Sequence, residues 1–221
     1  MHMQEVTICY GMTETAPVSA QSAVTDSIEQ RVGTVGRVHP HLEIKIVDEQ
    51  SKVVPRGSLG ELCVRGYSVM LGYWEDEDKT FDVIDKARWM HTGDIASMDD
   101  EGFIKIKGRI KDVVIRGGEN LFPKEIEDFL YTHPAVMDVQ VIGLPDPRYG
   151  EELCACIILH DGETCNEEVI RQYCKENISH NKVPRYVRFF REFPMTASGK
   201  AQKFKLQELM RQELNLLEDI A

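Results

Sequence analysis

The sequence predicts an α+β chain in two parts, a β-rich region over residues 1–110 and a mixed module over residues 111–221. Two observations carry this. Up to about residue 108, apolar side chains recur at every second position in segments 42–47, 61–65 and 102–108, each bounded by turn-forming residues, and such alternation marks half-buried strands. After Arg109, short strand-like runs alternate with segments whose apolar residues return every three to four positions, as on an amphipathic helix. The 221 residues, 42% hydrophobic and 29% charged, are those of an ordinary globular chain able to bury a sizeable core.

The first apolar run, residues 6–10, reads as a short buried strand, yet nothing precedes it to cover it. A chain whose N-terminal part lies elsewhere is therefore expected. The strands at 42–47 and 61–65 follow, then a short helix near residues 77–83 and the strand at 102–108. In the second part, strands are predicted at 113–115, 136–144 and 153–159. A helix should start at Pro123, whose missing N–H costs nothing in a first turn, and bury Ile126, Phe129 and Leu130. Asn166 is a natural N-cap for the next helix, with Glu167 and Glu168 at the positive end of its dipole and Ile170, Tyr173 and Cys174 facing inward. Leu206, Leu209, Met210 and Leu214 form the stripe of a last helix.

Composition also excludes. A net charge of −11 opposes non-specific attachment to nucleic acid or acidic membranes, so an anionic ligand would need locally placed cations. The longest apolar stretches are too short for a bilayer-spanning helix, and residues 1–5 lack the basic-then-apolar build of a leader. The chain reads as soluble and cytoplasmic, with organellar targeting ahead of Met1 left open. Six cysteines without a CxxC pair point to reduced, buried thiols.

Several turns carry chemistry. YGMTE (residues 10–14) sets Gly11 where backbone can approach a ligand, followed by the Thr13 hydroxyl and the Glu14 carboxylate, which suit a phosphate oxygen and its Mg²⁺; a turn with capping side chains is the plainer alternative. HTGD (91–94) ends in Asp94, able to accept two hydrogen bonds from a vicinal diol, although it also reads as a surface turn. Residues 108–127 carry Arg109 and the paired Gly117 and Gly118 across the change of pattern, where a linker plus hairpin would serve equally. Lys200 stands at the tip of TASGK (196–200), a loop resembling a P-loop fragment but lacking its first glycine and the Ser/Thr after the lysine, so the Walker reading fails.

The order and content of YGMTE, GELCVRG (60–66), HTGD, the 108–127 block and PMTASGK (194–200) resemble the adenylate-forming superfamily of acyl-CoA synthetases, aryl-CoA ligases, luciferases and peptide-synthetase adenylation domains. Residues 115–127, 178–184 and 199–206 are most similar to medium-chain fatty acyl-CoA synthetases. Ala201, where a branched aliphatic is commoner, and His41, where a small residue is commoner, are minor departures. The family's Ser/Thr/Gly-rich loop that grips the ATP β- and γ-phosphates would lie before Met1.

The resemblance implies that residues 1–110 are the last, β-rich portion of a large AMP-binding domain and 111–221 its small mobile C-terminal domain. It also implies a reaction joining a fatty acid or other carboxylate to ATP, giving acyl-AMP, then passing the acyl group to coenzyme A. Lys200, Thr13 and Glu14 would be catalytic, Glu14 also holding Mg²⁺. Tyr10, Gly11, Asp94, Ile106 and Arg109 would hold the nucleotide, Lys111 would be the hinge, and Gly117 and Gly118 would flank the pantetheine arm. Alone, the chain is not expected to complete adenylation. An aryl- or amino-acid-activating enzyme, and a non-catalytic module binding nucleotide or CoA, remain the alternatives.

Overall fold

The first unit of the chain opens with β1 (Cys9–Tyr10), β2 (Ala20–Gln21) and β3 (Arg37–Val38), a small antiparallel ladder with α1 (Ile28–Gly33) between its last two strands. The computed structural model describes residues 5–197 and 199–216, so the leader reading of residues 1–4 and Ser198 of the lysine loop lie outside the described residues. The buried strand expected over residues 6–10 is not formed: pairing is confined to Cys9 and Tyr10, and Val6 and Ile8 are 53% and 39% exposed. Only β2 pairs with this run, and no described residue buries those two side chains.

A four-stranded antiparallel meander follows, β4 (Leu42–Val47), β5 (Gly60–Gly66), β6 (Met90–Met98) and β7 (Ile104–Arg109), with α2 (Glu77–Val83) before β6. Its alternating residues behave as the pattern requires, with Ile46, Leu62, Val64, Ala96 and Ile104 buried in one core. Asp76 caps α2 by accepting the Lys79 N–H at 3.0 Å. His41 adopts φ +64°, the left-handed conformation that makes a small residue commoner there.

The two compact units are Met1–Lys111 and Asp112–Ala221. In the second, β8 (Val114–Arg116) and β9 (Glu119–Leu121) form a hairpin leading into α3 (Pro123–Leu130), and β10 (Val136–Asp146) pairs with β11 (Gly150–Leu159) along its length. After α4 (Glu167–Asn177), β12 (Tyr186–Phe189) joins β11 in parallel, and α5 (Lys203–Glu213) completes the element order. The expected α+β fold is therefore formed.

Burial of β11 on both faces explains its unbroken apolar run. Leu153, Ala155 and Ile157 pack with Ile126 and Leu130 of α3 and Ile170 and Cys174 of α4. Cys154, Cys156 and Ile158 pack on the other side with Phe193, Leu206 and Met210. Pro123 takes the first helical position and Asn166 accepts the Val169 N–H at 3.0 Å, as their residue types predict. Phe129 and Tyr173 are half-buried and stack at 5.0 Å. Leu209 departs from its predicted stripe: it is 46% exposed, because α5 faces the sheet through Leu206 and Met210. The thiols are free, but Cys9 is exposed and Cys165 half-buried, so only four of the six are the buried hydrophobes expected.

Glu152, 1% exposed, receives both Arg116 Nε at 2.8 Å and Nη2 at 3.0 Å, with Arg185 Nη1 at 3.9 Å. Removing one partner of a buried pair strands the other's charge, at about 3 kcal/mol. Arg116→Met is accordingly expected to destabilise the second unit by that amount, read as a lower urea midpoint in circular dichroism; an unchanged midpoint would show that Arg185 alone suffices.

Candidate functional site

The decisive local feature of the first unit is a bulge in β6. Glu61 pairs with Ile95 and Cys63 with His91, so Thr92, Gly93 and Asp94 stand opposite Leu62 alone. The segment read from sequence as a surface turn is thus a distorted strand, with Gly93 at φ +71° supplying the bend. Thr92 Oγ1 donates to the Leu62 carbonyl at 2.7 Å and accepts the Asp94 N–H at 3.1 Å. Glu61 clamps the same bulge, Oε1 accepting the Gly93 N–H at 3.0 Å while Oε2 lies 2.7 Å from His91 Nδ1.

This geometry directs Asp94 toward Tyr10, whose hydroxyl donates to Oδ2 at 2.6 Å. Arg109, the cross-strand partner of Asp94 in β7, brings Nε to 3.5 Å from Oδ1. Burial, and then the Asp94 carboxylate, push the Tyr10 phenol well above its ordinary range, so it remains a protonated donor. Three predicted nucleotide-binding residues, 84 positions apart at the first step, are thereby brought into one cluster. Ile106 is half-buried and packs on the same core as Tyr10 and Met12.

Thr13 and Glu14 lie on the adjoining single turn of 3₁₀ helix, Thr13–Thr15. Thr13 is exposed, and Glu14 Oε1 accepts the Tyr73 hydroxyl at 3.0 Å. Buried Thr15 ties the turn down, its hydroxyl accepting the Met12 N–H and facing the Met12 carbonyl, both at 3.1 Å. A Cβ on Gly11 would come within 1.8 Å of the Pro17 carbonyl oxygen. The chain's own backbone, rather than a ligand, occupies the space that glycine leaves. Glu61, Thr92 and Tyr73 escaped the sequence reading because their partners are 30 to 59 positions away or, for Thr92, because a capping hydroxyl looks like any other.

The remaining predicted residues belong to other turns. Lys111 is exposed in the 3₁₀ turn Ile110–Asp112, the last residue of the first unit. Gly117 and Gly118, at φ +60° and +84°, are the two central residues of the β8–β9 hairpin, whose Arg116 and Glu119 pair across it. Two positive φ values in a two-residue loop define a type I′ turn, so local geometry alone asks for such residues. Exposed Lys200 closes a tight loop through its backbone: its N–H donates to Thr196 Oγ1 at 3.0 Å, its carbonyl accepts the Thr196 N–H at 2.8 Å, and Met195 bridges Ala201.

Family profiles match this chain in two places, "AMP-binding enzyme" over residues 1–74 and "AMP-binding enzyme C-terminal domain" over residues 125–200. The chain belongs to the AMP-binding enzyme family. Within that family it is 52% identical over 217 residues to the rat mitochondrial medium-chain acyl-CoA ligase ACSF2, covering 98% of this chain and 35% of that protein. It is 51% identical to the putative acyl-CoA synthetase YngI of Bacillus subtilis strain 168, covering 98% of this chain and 40% of that one. Among solved structures, ATP-bound MatB from Rhodopseudomonas palustris superposes with a TM-score of 0.87 at 33% identity, over 94% of this chain and 41% of that one. The o-succinylbenzoate CoA synthetase MenE of Bacillus subtilis, holding its acyl-adenylate, gives 0.85 at 32% identity, over 92% and 41%. This family member therefore spans well under half the length of these relatives.

Proposed function

We propose that this chain supplies the ribose-holding turn, the lysine loop and the glycine hairpin of a fatty acyl-CoA synthetase, the rest coming from sequence that the longer relatives possess. Residues 1–110 would close the large nucleotide-binding domain and 111–221 would form the mobile lid, with Lys111 as hinge. The observation that carries the reading is the Tyr10–Asp94–Arg109 cluster, in which a bulged strand holds one carboxylate between a phenol donor and a guanidinium. An Asp in this position suits the two hydroxyls of an AMP ribose. Identity of 52% to a medium-chain acyl-CoA ligase, against 32% to the o-succinylbenzoate CoA synthetase, favours a fatty acid over an aromatic acid.

Each residue then has a task. Tyr10 and Ile106 would pack beside the adenine, Gly11 would shape the turn beneath it, and Asp94 with Arg109 would fix the ribose. Thr13 would donate to the α-phosphate. Glu14, a single carboxylate already steadied by Tyr73, fits a Mg²⁺ ion, which keeps most of its water and takes its remaining ligands from substrate phosphates. When bound, that ion supplies positive charge to the phosphates. Lys200 would set its ammonium between the substrate carboxylate and the α-phosphate, offsetting the repulsion of two anions. Gly117 and Gly118 would flank the CoA arm in the second step. The compartment would follow from the parent protein, since relatives include both mitochondrial and bacterial ones.

The test is carboxylate-dependent ATP–pyrophosphate exchange by the full-length protein across a panel of fatty and aromatic acids. Asp94→Asn is expected to raise the ATP KM by about tenfold or more, the worth of a hydrogen bond to a charged acceptor, with little change in kcat. An unchanged ATP KM would overturn the ribose assignment.

A further inference from the structure

Behind the bulge that carries Asp94, three side chains of different donor chemistry converge. His91 Nδ1 lies 2.7 Å from Glu61 Oε2 and 3.6 Å from Cys63 Sγ, and the oxygen, nitrogen and sulfur all fall within 4.8 Å of one another. Among the described residues this is the one grouping of three His, Cys, Asp or Glu side chains whose ligand atoms come so close. The role given to Asp94 uses only the other oxygen of Glu61, the one facing Gly93.

We propose that Glu61, Cys63 and His91 form a three-ligand site for Zn²⁺ or a similar borderline transition-metal ion, with the fourth position open to water. The donor set is one that zinc accepts, and for tetrahedral zinc the usual Zn–S and Zn–N bond lengths separate sulfur from nitrogen by about 3.6 Å. The observed Cys63–His91 spacing of 3.6 Å matches that edge. Nitrogen and oxygen on the same ion lie about 3.3 Å apart, so Glu61 must withdraw from His91 by about 0.6 Å. A glutamate side chain has that freedom, and its Oε1 bond to Gly93 tethers it nearby.

The neighbours favour a soft cation rather than a hard one. Cys63 is fully buried in β5, whereas the Glu61 and His91 side chains keep 19% and 21% of their surface open, giving an ion a way in from one side. On loading, the thiol proton leaves to solvent, the imidazole gives up the Nδ1–H that faces Glu61 and carries its proton on Nε2 instead, and the sulfur and nitrogen lone pairs bond to the metal. The two charges of the ion then balance one thiolate and one carboxylate, leaving no net charge in a half-buried site. No oxidant or reductant is needed.

The experiment is titration of the reduced, chelator-treated chain with Co²⁺ as a spectroscopic probe, followed by competition with Zn²⁺. The expected result is one equivalent bound, with visible bands of tetrahedral cobalt and a thiolate-to-cobalt charge-transfer band in the near ultraviolet, both removed by Zn²⁺. Cys63→Ser should abolish the charge-transfer band, and His91→Gln should weaken binding at least tenfold. Cys9→Ser, at the exposed thiol, should change neither; circular dichroism checks that each variant is folded. Should the band be missing, persist in Cys63→Ser or vanish in Cys9→Ser, the site is refuted. Because the readout needs neither ATP nor activity, its outcome is independent of the role proposed for Asp94.

Discussion

Lys200→Ala in the full-length enzyme should reduce carboxylate-dependent ATP–pyrophosphate exchange by a factor on the order of 10²–10³, the range typical when one preorganised charge-stabilising donor is removed. Thioester formation from supplied acyl-AMP should be nearly unchanged. The asymmetry follows from chemistry: the first half-reaction brings a carboxylate against a phosphate, so a cation between them lowers its barrier, whereas acyl transfer to a thiol expels AMP and has no such encounter. The loop suits this role. Its shape comes from backbone and hydroxyl contacts between Thr196 and Lys200, and no described residue is hydrogen-bonded or ion-paired with the Lys200 ammonium. Truncating the side chain therefore leaves the loop's fastening intact, and loss of both half-reactions in equal measure would refute the assignment.

Gly118→Leu should do the reverse, sparing acyl-AMP formation and slowing thioester formation on the order of a hundredfold, as misplacing a reactant by about an ångström can do. The hairpin itself complicates the test, since at φ +84° a leucine strains the turn although nothing lies within 4 Å of a Cβ there. Gly118→Asn separates the two effects, because asparagine accepts a positive φ and keeps the I′ turn while still adding bulk. If only turn geometry matters, Asn restores thioester formation; if the glycine leaves room for the pantetheine arm, Asn is impaired as well. A wild-type thioester rate in both variants would remove Gly118 from the site.

What was legible in the sequence was local. The alternation of residues 42–47, the Pro123 first turn and the Asn166 cap each state their structure within a few residues, and each is found. The 6–10 run announced burial but not its cover: Val6 and Ile8 lie open in this chain, which spans 35–40% of the length of its relatives. β12 and β9 are too short for a period to register. Asp94 was legible as a chemical candidate, but the bulge that aims it was not. That device depends on Glu61, Thr92 and the register of β5 against β6, contacts that span 26 to 36 residues and leave no pattern in sequence.

Burial of β11 on both sides bears on how one small unit could serve two reactions. Phe193 and Leu206, which bracket the lysine loop, root it on the face of Cys154 and Cys156; Val114 and Leu121, which bracket the glycine hairpin, root that turn on the face of Leu153 and Ala155. The lysine loop thus grows from one face of this slab, whereas the glycine hairpin is the turn between two of its own strands. Were both to serve one reaction site, as proposed above, flexing either loop by itself would not exchange them, whereas a packed slab would move them together.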